Sequence, residues 1–309
     1  MNYRRTPPIK YIPIFEAAAR HLSFKKAAEE LCVTAPAVGQ QIKAFEEWLG
    51  KPLFQRSARQ LSLSAEGECY FRAAQAIMTA HKKGYIEFSR RFDKSVLHIS
   101  APLFTVQEVL LPNYLRFNDY ASATELRIEA RMSYVDFDAE RVDAAIRLGD
   151  GNWPELHCRK LCEAFVAPVC SPSYAASHEF TKPGDLSQHR LIYAEPAMND
   201  WGHYFGVNDF QPQNKPIICD SYLGALKAAS DGLGVALAIF PTANTWVDSN
   251  RIVLPFPVQY RTGRSYWMVV PESDHSLPQI DAVYGWLQSI FDELPALKQT
   301  VATIALESF

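Results

Sequence analysis

The 309-residue sequence predicts an α/β protein built as an N-terminal winged helix-turn-helix, a long linker helix, and then a run of alternating strands and helices. Three observations carry this reading. Charge is divided by position: residues 1–94 hold 16 Lys+Arg against 9 Asp+Glu, a net of +7, and subtracting from the totals of 31 and 34 leaves 15 against 25, a net of −10, for residues 95–309. Within the first fifty residues, apolar side chains repeat at helical spacing in two short segments joined by a tight link. From Val96 onward the pattern changes to short apolar strands alternating with helices. A basic segment beside an acidic one points to a nucleic-acid-binding module joined to a part that must not bind nucleic acid.

Composition narrows the class further. At 48% hydrophobic the chain can bury large cores in two or three units. No apolar run approaches the roughly 18 residues of a membrane span. Arg4 and Arg5 are followed by Pro7, Pro8, Lys10 and Pro13, which break any signal-peptide-like stretch, so a cytoplasmic protein with no membrane partner is expected. The six cysteines form no CxxC pair, and Cys158 and Cys162 fall in a segment that reads as strand. No His-x-x-x-His or other ligand spacing accompanies the eight histidines. The thiols read as buried or idle, and no metal, disulfide or cofactor is expected.

Ile14, Phe15, Ala18, Ala19 and Leu22 mark a first helix, which must begin near Lys10 to place Pro13 in its first turn. Ser23 is the expected N-cap of a second, with Phe24, Ala27, Ala28 and Leu31 on one face. The link Cys32-Val33-Thr34 leads to a third helix over 35–49, striped by Val38, Ile42, Phe45 and Leu49 and closed by Gly50. Two short helices with the second opening on small residues is the helix-turn-helix pattern, because that end must enter a groove about 12 Å wide. Thr34 caps the helix and can reach a phosphate, and Pro36 suits a first turn where a missing N–H costs nothing. Gln40 and Gln41 are amides able to bond base edges, Gln40 above all, whereas Lys43 is placed for backbone charge. An exposed polar face is the alternative reading for both glutamines.

Residues 53–63 then read as a small hairpin with Arg59 near its tip, and a basic hairpin after such a helix is a wing. Arg56 and Arg59 are expected to grip phosphates or the minor groove, which sets register and salt dependence rather than sequence. Ser64 caps a long helix with Glu66 and Glu68 in its first turn. Tyr70, Ala74, Ile77, His81, Gly84 and Phe88 form a heptad-like seam along it, imperfect at His81 and Gly84. Self-association and packing on the first helix are both compatible with that seam.

The run FEAAARHLSF at 15–24, AAEEL at 27–31, Val33-Thr34, QIKAFE at 41–46 and LGKPLF at 49–54 are similar to the amino terminus of LysR-type transcriptional regulators. The chain most resembles the subgroup that activates glycine-cleavage and β-lactamase genes, from Pro7 to about Leu294. Most members carry Gln, a small residue and Ser where this chain has Ala35, Pro36 and Gly39, and many have Arg or His in place of Gln40. The operator sequence therefore does not carry over from relatives.

In the second part, strands are expected at 96–100, 126–131 and 142–148, with a helix over 105–120. Ile217-Ile218-Cys219 is a further strand, Asp220-Ser221 caps a helix over 222–230, and Gly232 and Gly234 precede a strand over 235–239. The resemblance implies a periplasmic-binding-protein-like effector domain of two α/β subdomains, about 95–166 plus 271–294 and about 167–270, joined by crossovers at 167–172 and 266–270. By the same division, 1–66 is the DNA-binding domain and 67–94 the linker and dimerisation helix. Residues 295–309 lie beyond the resemblance, where Leu297, Val301 and Ile304 suggest a packed tail helix.

Phe104 and Thr105 follow the first strand at a helix start, where backbone N–H groups can hold a polar ligand. The subgroup usually has Ser or Thr at the first of these positions and Phe at the second, so hydroxyl and aromatic are exchanged here. Ser221 and Tyr222 open the matching helix of the other subdomain. Tyr266 and Trp201 stand at recurrent subgroup positions, Tyr266 that of a pocket tyrosine, and Arg147 can meet a carboxylate. Helix capping, core packing and, for Arg147, a structural role are the competing readings. No Gly-x-Ser-x-Gly elbow, P-loop or dinucleotide turn supports an enzyme. The expected protein is a ligand-responsive, sequence-specific transcriptional regulator, with a sensor lacking DNA output as the alternative. Its partners would be double-stranded promoter or operator DNA, a small polar effector, a second copy or three more in a homodimer or homotetramer, and RNA polymerase.

Overall fold

Ser23 and Thr34, the two predicted caps, set the first helices. Ser23 Oγ accepts from the Lys26 N–H at 3.3 Å and Thr34 Oγ1 from the Ala37 N–H at 3.4 Å. The computed structural model describes residues 6–56, 61–92, 96–181, 183–195, 200–205, 213–295 and 302–305. It divides into two compact units, Met1–Ser89 and Arg90–Phe309.

In the first unit a short turn over Ile9–Tyr11 leads into α1 (Ile12–His21), followed by α2 (Phe24–Glu30) and α3 (Ala35–Leu49). Gly50 closes α3 in the left-handed conformation at φ 67°. Strands β1 (Phe54–Arg56) and β2 (Leu61–Leu63) pair antiparallel with Phe54 opposite Leu63, and α4 (Ala65–Phe92) follows. Phe15 and Phe45 are fully buried and meet each other and Tyr70 edge-on at 5.3–5.8 Å, which locks α1, α3 and α4 together. Glu46 Oε1 accepts from the Leu53 and Phe54 N–H groups at 2.7 and 3.1 Å and so fixes the start of the wing on α3. Gly39 lies inside α3, and a Cβ there would meet Phe24 at an ordinary 3.9 Å. Gly39→Ala is therefore expected to add about 0.5–1 kcal/mol of stability by removing unfolded-state freedom. Denaturant unfolding checks this, and a loss would mean that α2 and α3 need the missing methyl's space.

The second unit opens with β3 (Val96–Ala101) and α5 (Leu103–Thr105), then a π turn over Val106–Leu110, 3-10 turns over Leu111–Phe117, and α6 (Asn118–Ala121). The single helix expected over 105–120 is thus displaced and broken. It begins at Leu103, and Pro112 has no N–H to continue an i→i−4 ladder. Next come β4 (Glu125–Ala130), β5 (Ala144–Gly149), β6 (Leu156–Val169), α7 (Pro172–Ser177), β7 (Leu191–Ala194) and α8 (Asp200–Phe205). The remainder is β8 (Ile217–Cys219), α9 (Tyr222–Ser230), β9 (Val235–Phe240), α10 (Asn244–Asp248), β10 (Val258–Pro271), α11 (Pro278–Asp292) and β11 (Ala302–Ala305).

The strand order β4-β3-β5-β10-β6-β9-β7-β8 makes two parallel three-stranded lobes bridged by the antiparallel pair β10 and β6. Both bridging strands are 14 residues long and serve both lobes. The pairing moves the change of lobe a few residues from the expected crossovers at 167–172 and 266–270. β6 joins β9 from Phe165 onward, and β10 pairs with β5 over Ser265–Val269. The register of β10 against β6 breaks between Arg261 and Ser265, around Gly263 at φ 70°, which lets the strand bend there. Tyr266, Met268 and Val270 accordingly pack in the first lobe's core with Trp286 of α11.

Of the expected tail helix, Leu297 and Val301 lie outside the described residues, and the described segment Ala302–Ala305 is a strand. β11 pairs parallel with Val258–Arg261 of β10, the edge that β5 leaves uncovered, and Gln259 Nε2 donates to Thr303 Oγ1 at 2.9 Å. An unpaired strand edge offers a row of backbone partners that outweighs the tail's weak helical spacing.

Candidate functional site

Each unit carries one candidate site. In the first, Thr34, Pro36, Gln40 and Lys43 are all exposed on or just before α3, with the last three at i, i+4 and i+7 on one face. Gln41 is half-buried. Lys43 lies 3.8 Å from Glu47 in a solvent-exposed pair that leaves its ammonium available to an anion. The buried stripe of Val38, Ile42 and Phe45 on the opposite face sets this presentation. Arg56 ends β1 opposite Leu61, whereas Arg59 lies outside the described residues.

The seam of α4 is used in two ways. Tyr70 and Ala74 pack in the first unit's core, while Ile77, His81, Gly84 and Phe88 are exposed, joined by Tyr85 and Phe92.

In the second unit two adjacent cavities lie in the cleft between the lobes. The larger, of about 330 Å³, is lined by Arg147, Trp201, Tyr222 and Arg264 among others. The smaller, of about 80 Å³, is lined by Phe104, Thr105, Ser221, Tyr222 and Tyr266. Pro102, Met132, Leu148, Tyr222 and Ile239 border both. This cleft gathers residues from both lobes at the carboxyl ends of β3 and β5, where open α/β sheets present ligand sites.

Each predicted residue has a local reason for its position. Tyr266 is fully buried. Its hydroxyl pairs with Thr242 Oγ1 at 3.1 Å and engages Thr105, and burial pushes the phenol's pKa up. Ser221 caps α9, with Oγ accepting from the Gly224 N–H at 3.2 Å and donating to Asp220 Oδ1 at 3.0 Å. The Tyr222 hydroxyl accepts from the Ile239 N–H and so ties α9 to β9. Trp201 is 1% exposed, donates Nε1–H to the Ile192 carbonyl at 3.0 Å, and packs with Tyr204 and Phe205. Phe104 crosses from the first lobe into the second lobe's core, edge-on to Tyr222 at 5.0 Å and beside Trp246. The helix starts at Leu103, so Phe104 and Thr105 lie in its first turn.

Arg147 is the distinctive group. It is 6% exposed, and its guanidinium donates to the carbonyls of Ile146 at 2.8 Å, Ser133 at 3.1 Å and Ser100 at 3.4 Å, and to Ser100 Oγ at 3.1 Å. Among the described residues no carboxylate pairs with it, because the nearby Glu129 and Glu140 are held by Arg131. Burial, reinforced by the Arg131 charge, pulls its pKa below the ordinary arginine value. Arg264 supplies a second cation, and no described acidic side chain lines either cavity. Sequence reasoning missed Arg264, Tyr134, Tyr193, Met132 and Leu148. Arg264 alone carried a signal, two positions before Tyr266 on the same strand.

A winged helix-turn-helix module followed by a two-lobed α/β unit with an interlobe cleft defines a DNA-binding regulator fused to a ligand-binding domain. Residues 9–68 match the model for the bacterial regulatory helix-turn-helix protein, lysR family, and residues 91–292 match the LysR substrate binding domain. The chain belongs to the LysR family of DNA-binding transcriptional regulators and carries that family's effector-binding domain. It is 36% identical over 289 residues to the glycine cleavage system transcriptional activator of Escherichia coli K12, covering 92% of this chain and 94% of that protein. It is 35% identical over 291 residues to the HTH-type transcriptional activator AmpR of Pseudomonas aeruginosa, covering 91% and 94%. The solved effector domain of that AmpR is similar with a TM-score of 0.56 at 31% identity, over 64% of this chain and 96% of that one.

Proposed function

We propose that this regulator binds an operator as a homodimer or a homotetramer built from dimers, and that its effector is a small organic anion with an apolar or aromatic portion. The buried Arg147, uncompensated by any described carboxylate in a cleft of about 330 Å³, carries the effector reading. A cation held only by neutral oxygens, three carbonyls and one hydroxyl, in a site of low polarity strongly favours an arriving negative charge. Met132, Tyr134, Tyr193 and Tyr222 supply the apolar and aromatic wall for the rest of the molecule. Thr105, Ser221 and Tyr266 contribute hydroxyls beside the smaller cavity, Phe104 shapes its wall, and Trp201 shapes that of the larger one. The lining of guanidinium, hydroxyl and aromatic groups supports a binding role for the cleft.

The exposed second half of the α4 seam supports pairing of two chains, which places two α3 helices in successive major grooves about one turn apart. Effector binding between the lobes shifts their relative orientation only if the anion prefers one arrangement. Action at promoters supports a cytoplasmic location, and the activator relatives support RNA polymerase as an output partner.

Quantitative binding to the DNA upstream of its own gene, across a salt series, tests the DNA face. Gln40→Ala is expected to relax discrimination at one base position by about 1–3 kcal/mol and leave the salt slope alone. Arg59→Ala should weaken binding on all sequences and reduce that slope by about one. Unchanged discrimination in the first variant removes the base-reading role, and an unchanged slope in the second removes the wing contact.

A further inference from the structure

We infer that His157, Glu272 and His275 form a site for a divalent transition metal of zinc-like chemistry on the first lobe. None of the three lines either cavity of the cleft. One donor atom from each lies within 4.8 Å of the others. His157 stands on β6 opposite Val270 of β10, and Glu272 follows just beyond the end of β10. The chain then turns back, with the Asp274 N–H donating to the Pro271 carbonyl and the Leu277 N–H to the Asp274 carbonyl, both at 3.0 Å. That turn lays the His275 ring over His157, at 4.6 Å between centroids and 25° between planes.

The Glu272 carboxylate serves both rings. Its Oε2 lies 3.7 Å from His157 Nδ1 and its Oε1 lies 3.8 Å from His275 Nδ1. His275 Nδ1 also sits 2.6 Å from the Glu272 carbonyl, which selects the tautomer with its proton on Nδ1 and leaves the Nε2 lone pair free. A backbone carbonyl on the far nitrogen is the usual support of a metal-binding histidine. Two imidazoles and a carboxylate suit zinc, cobalt, nickel or copper, whereas calcium and magnesium require mostly oxygen donors. Three protein donors leave a fourth position for water.

Tetrahedral donors at bond lengths of about 2.0–2.1 Å stand about 3.3 Å apart. Binding therefore closes the cluster by up to about 1.5 Å, a movement open to solvent-exposed side chains such as Glu272. The adjacent Cys158 does not join the set. It packs against the cluster of Phe137 and Val142, and burial raises its thiol pKa.

The sequence hid this site because its parts lie far apart in the chain, with only the spacing Glu272-x-x-His275 being local. The test titrates the full-length protein with cobalt(II), read by its visible absorption, and with zinc(II) by calorimetry. One equivalent per chain is expected, without a thiolate charge-transfer band. Glu272→Gln and His275→Ala should each weaken binding by more than the about 10- to 100-fold that loss of an outer-shell partner costs. Cys158→Ser should leave affinity unchanged. Absence of a bound equivalent, equal affinity in wild type and both ligand variants, or a thiolate band would each overturn the assignment.

Discussion

Gly67→Ala is expected to unfold or loosen residues 6–89 while leaving the second unit intact. Gly67 lies in the first turn of α4, and a Cβ there would fall 2.0 Å from the Leu53 carbonyl oxygen, 3.0 Å from its carbon and 3.1 Å from Leu63 Cδ2. Leu53 cannot retreat easily. Its N–H is held by Glu46, its carbonyl accepts from the Ser64 N–H at 2.9 Å, and its side chain is 1% exposed. Gly67 is equally constrained, because its own N–H donates to Ser64 Oγ at 2.9 Å while that hydroxyl donates to the Pro52 carbonyl at 2.6 Å. A clash against backbone rather than a flexible side chain puts the cost at or above the upper end of the about 1–3 kcal/mol typical of overpacking. Hydrogen exchange resolved by segment should show protection lost across α1, α3 and β1 and retained across β3 and β5. Operator binding should fall with it. Wild-type protection over 6–89 in the variant would show that this close approach is not needed.

Arg147→Gln carries the largest expected functional effect. Hydrogen bonds to a charged group contribute about 1.5–3 kcal/mol, so affinity for an anionic effector should drop roughly 10- to 150-fold. Arg147→Lys should rescue little. One ammonium cannot span the carbonyls of Ser133 and Ser100, which the guanidinium reaches with separate nitrogens. A calorimetric screen of small carboxylates against their neutral amides supplies the readout. Wild type should select acids over amides, and the variant should lose that preference while keeping the weaker apolar contribution. A wild type that binds amides as tightly as acids would remove the anionic-effector reading, whatever the variant does.

The N-terminal unit was legible in the sequence because its signals are local. Ser23 and Thr34 cap their helices through groups three residues away, Gly50 ends α3, and the stripe Val38, Ile42 and Phe45 turns Gln40 and Lys43 outward. The helix over 222–230 was readable for the same reason, with Ser221 before it and two glycines soon after it. Where a signal depended on partners far along the chain, reading failed or slipped. Leu297, Val301 and Ile304 carried a weak helical spacing, yet the described segment 302–305 pairs with the free edge of β10 as a strand. The stretch after β3 looked like one helix, but Pro112 and the packing around it broke it into turns of different pitch.

The cleft marks the same boundary. Arg147, Ser221, Tyr222 and Tyr266 stand out along the chain, but their gathering at one cleft depends on β6 and β10 carrying the sheet from lobe to lobe. That Arg147 meets no carboxylate among the described residues is likewise invisible in one dimension, since Glu129 and Glu140 are close but already bound to Arg131. Helix caps, apolar stripes and the division of charge are set by residues within a few positions of each other, so the chain alone specified the winged module and the α/β class. The edge that receives the tail, the bend in β10, the buried guanidinium of Arg147 and the histidine stack at His157 are set by residues that meet only after the sheet has formed.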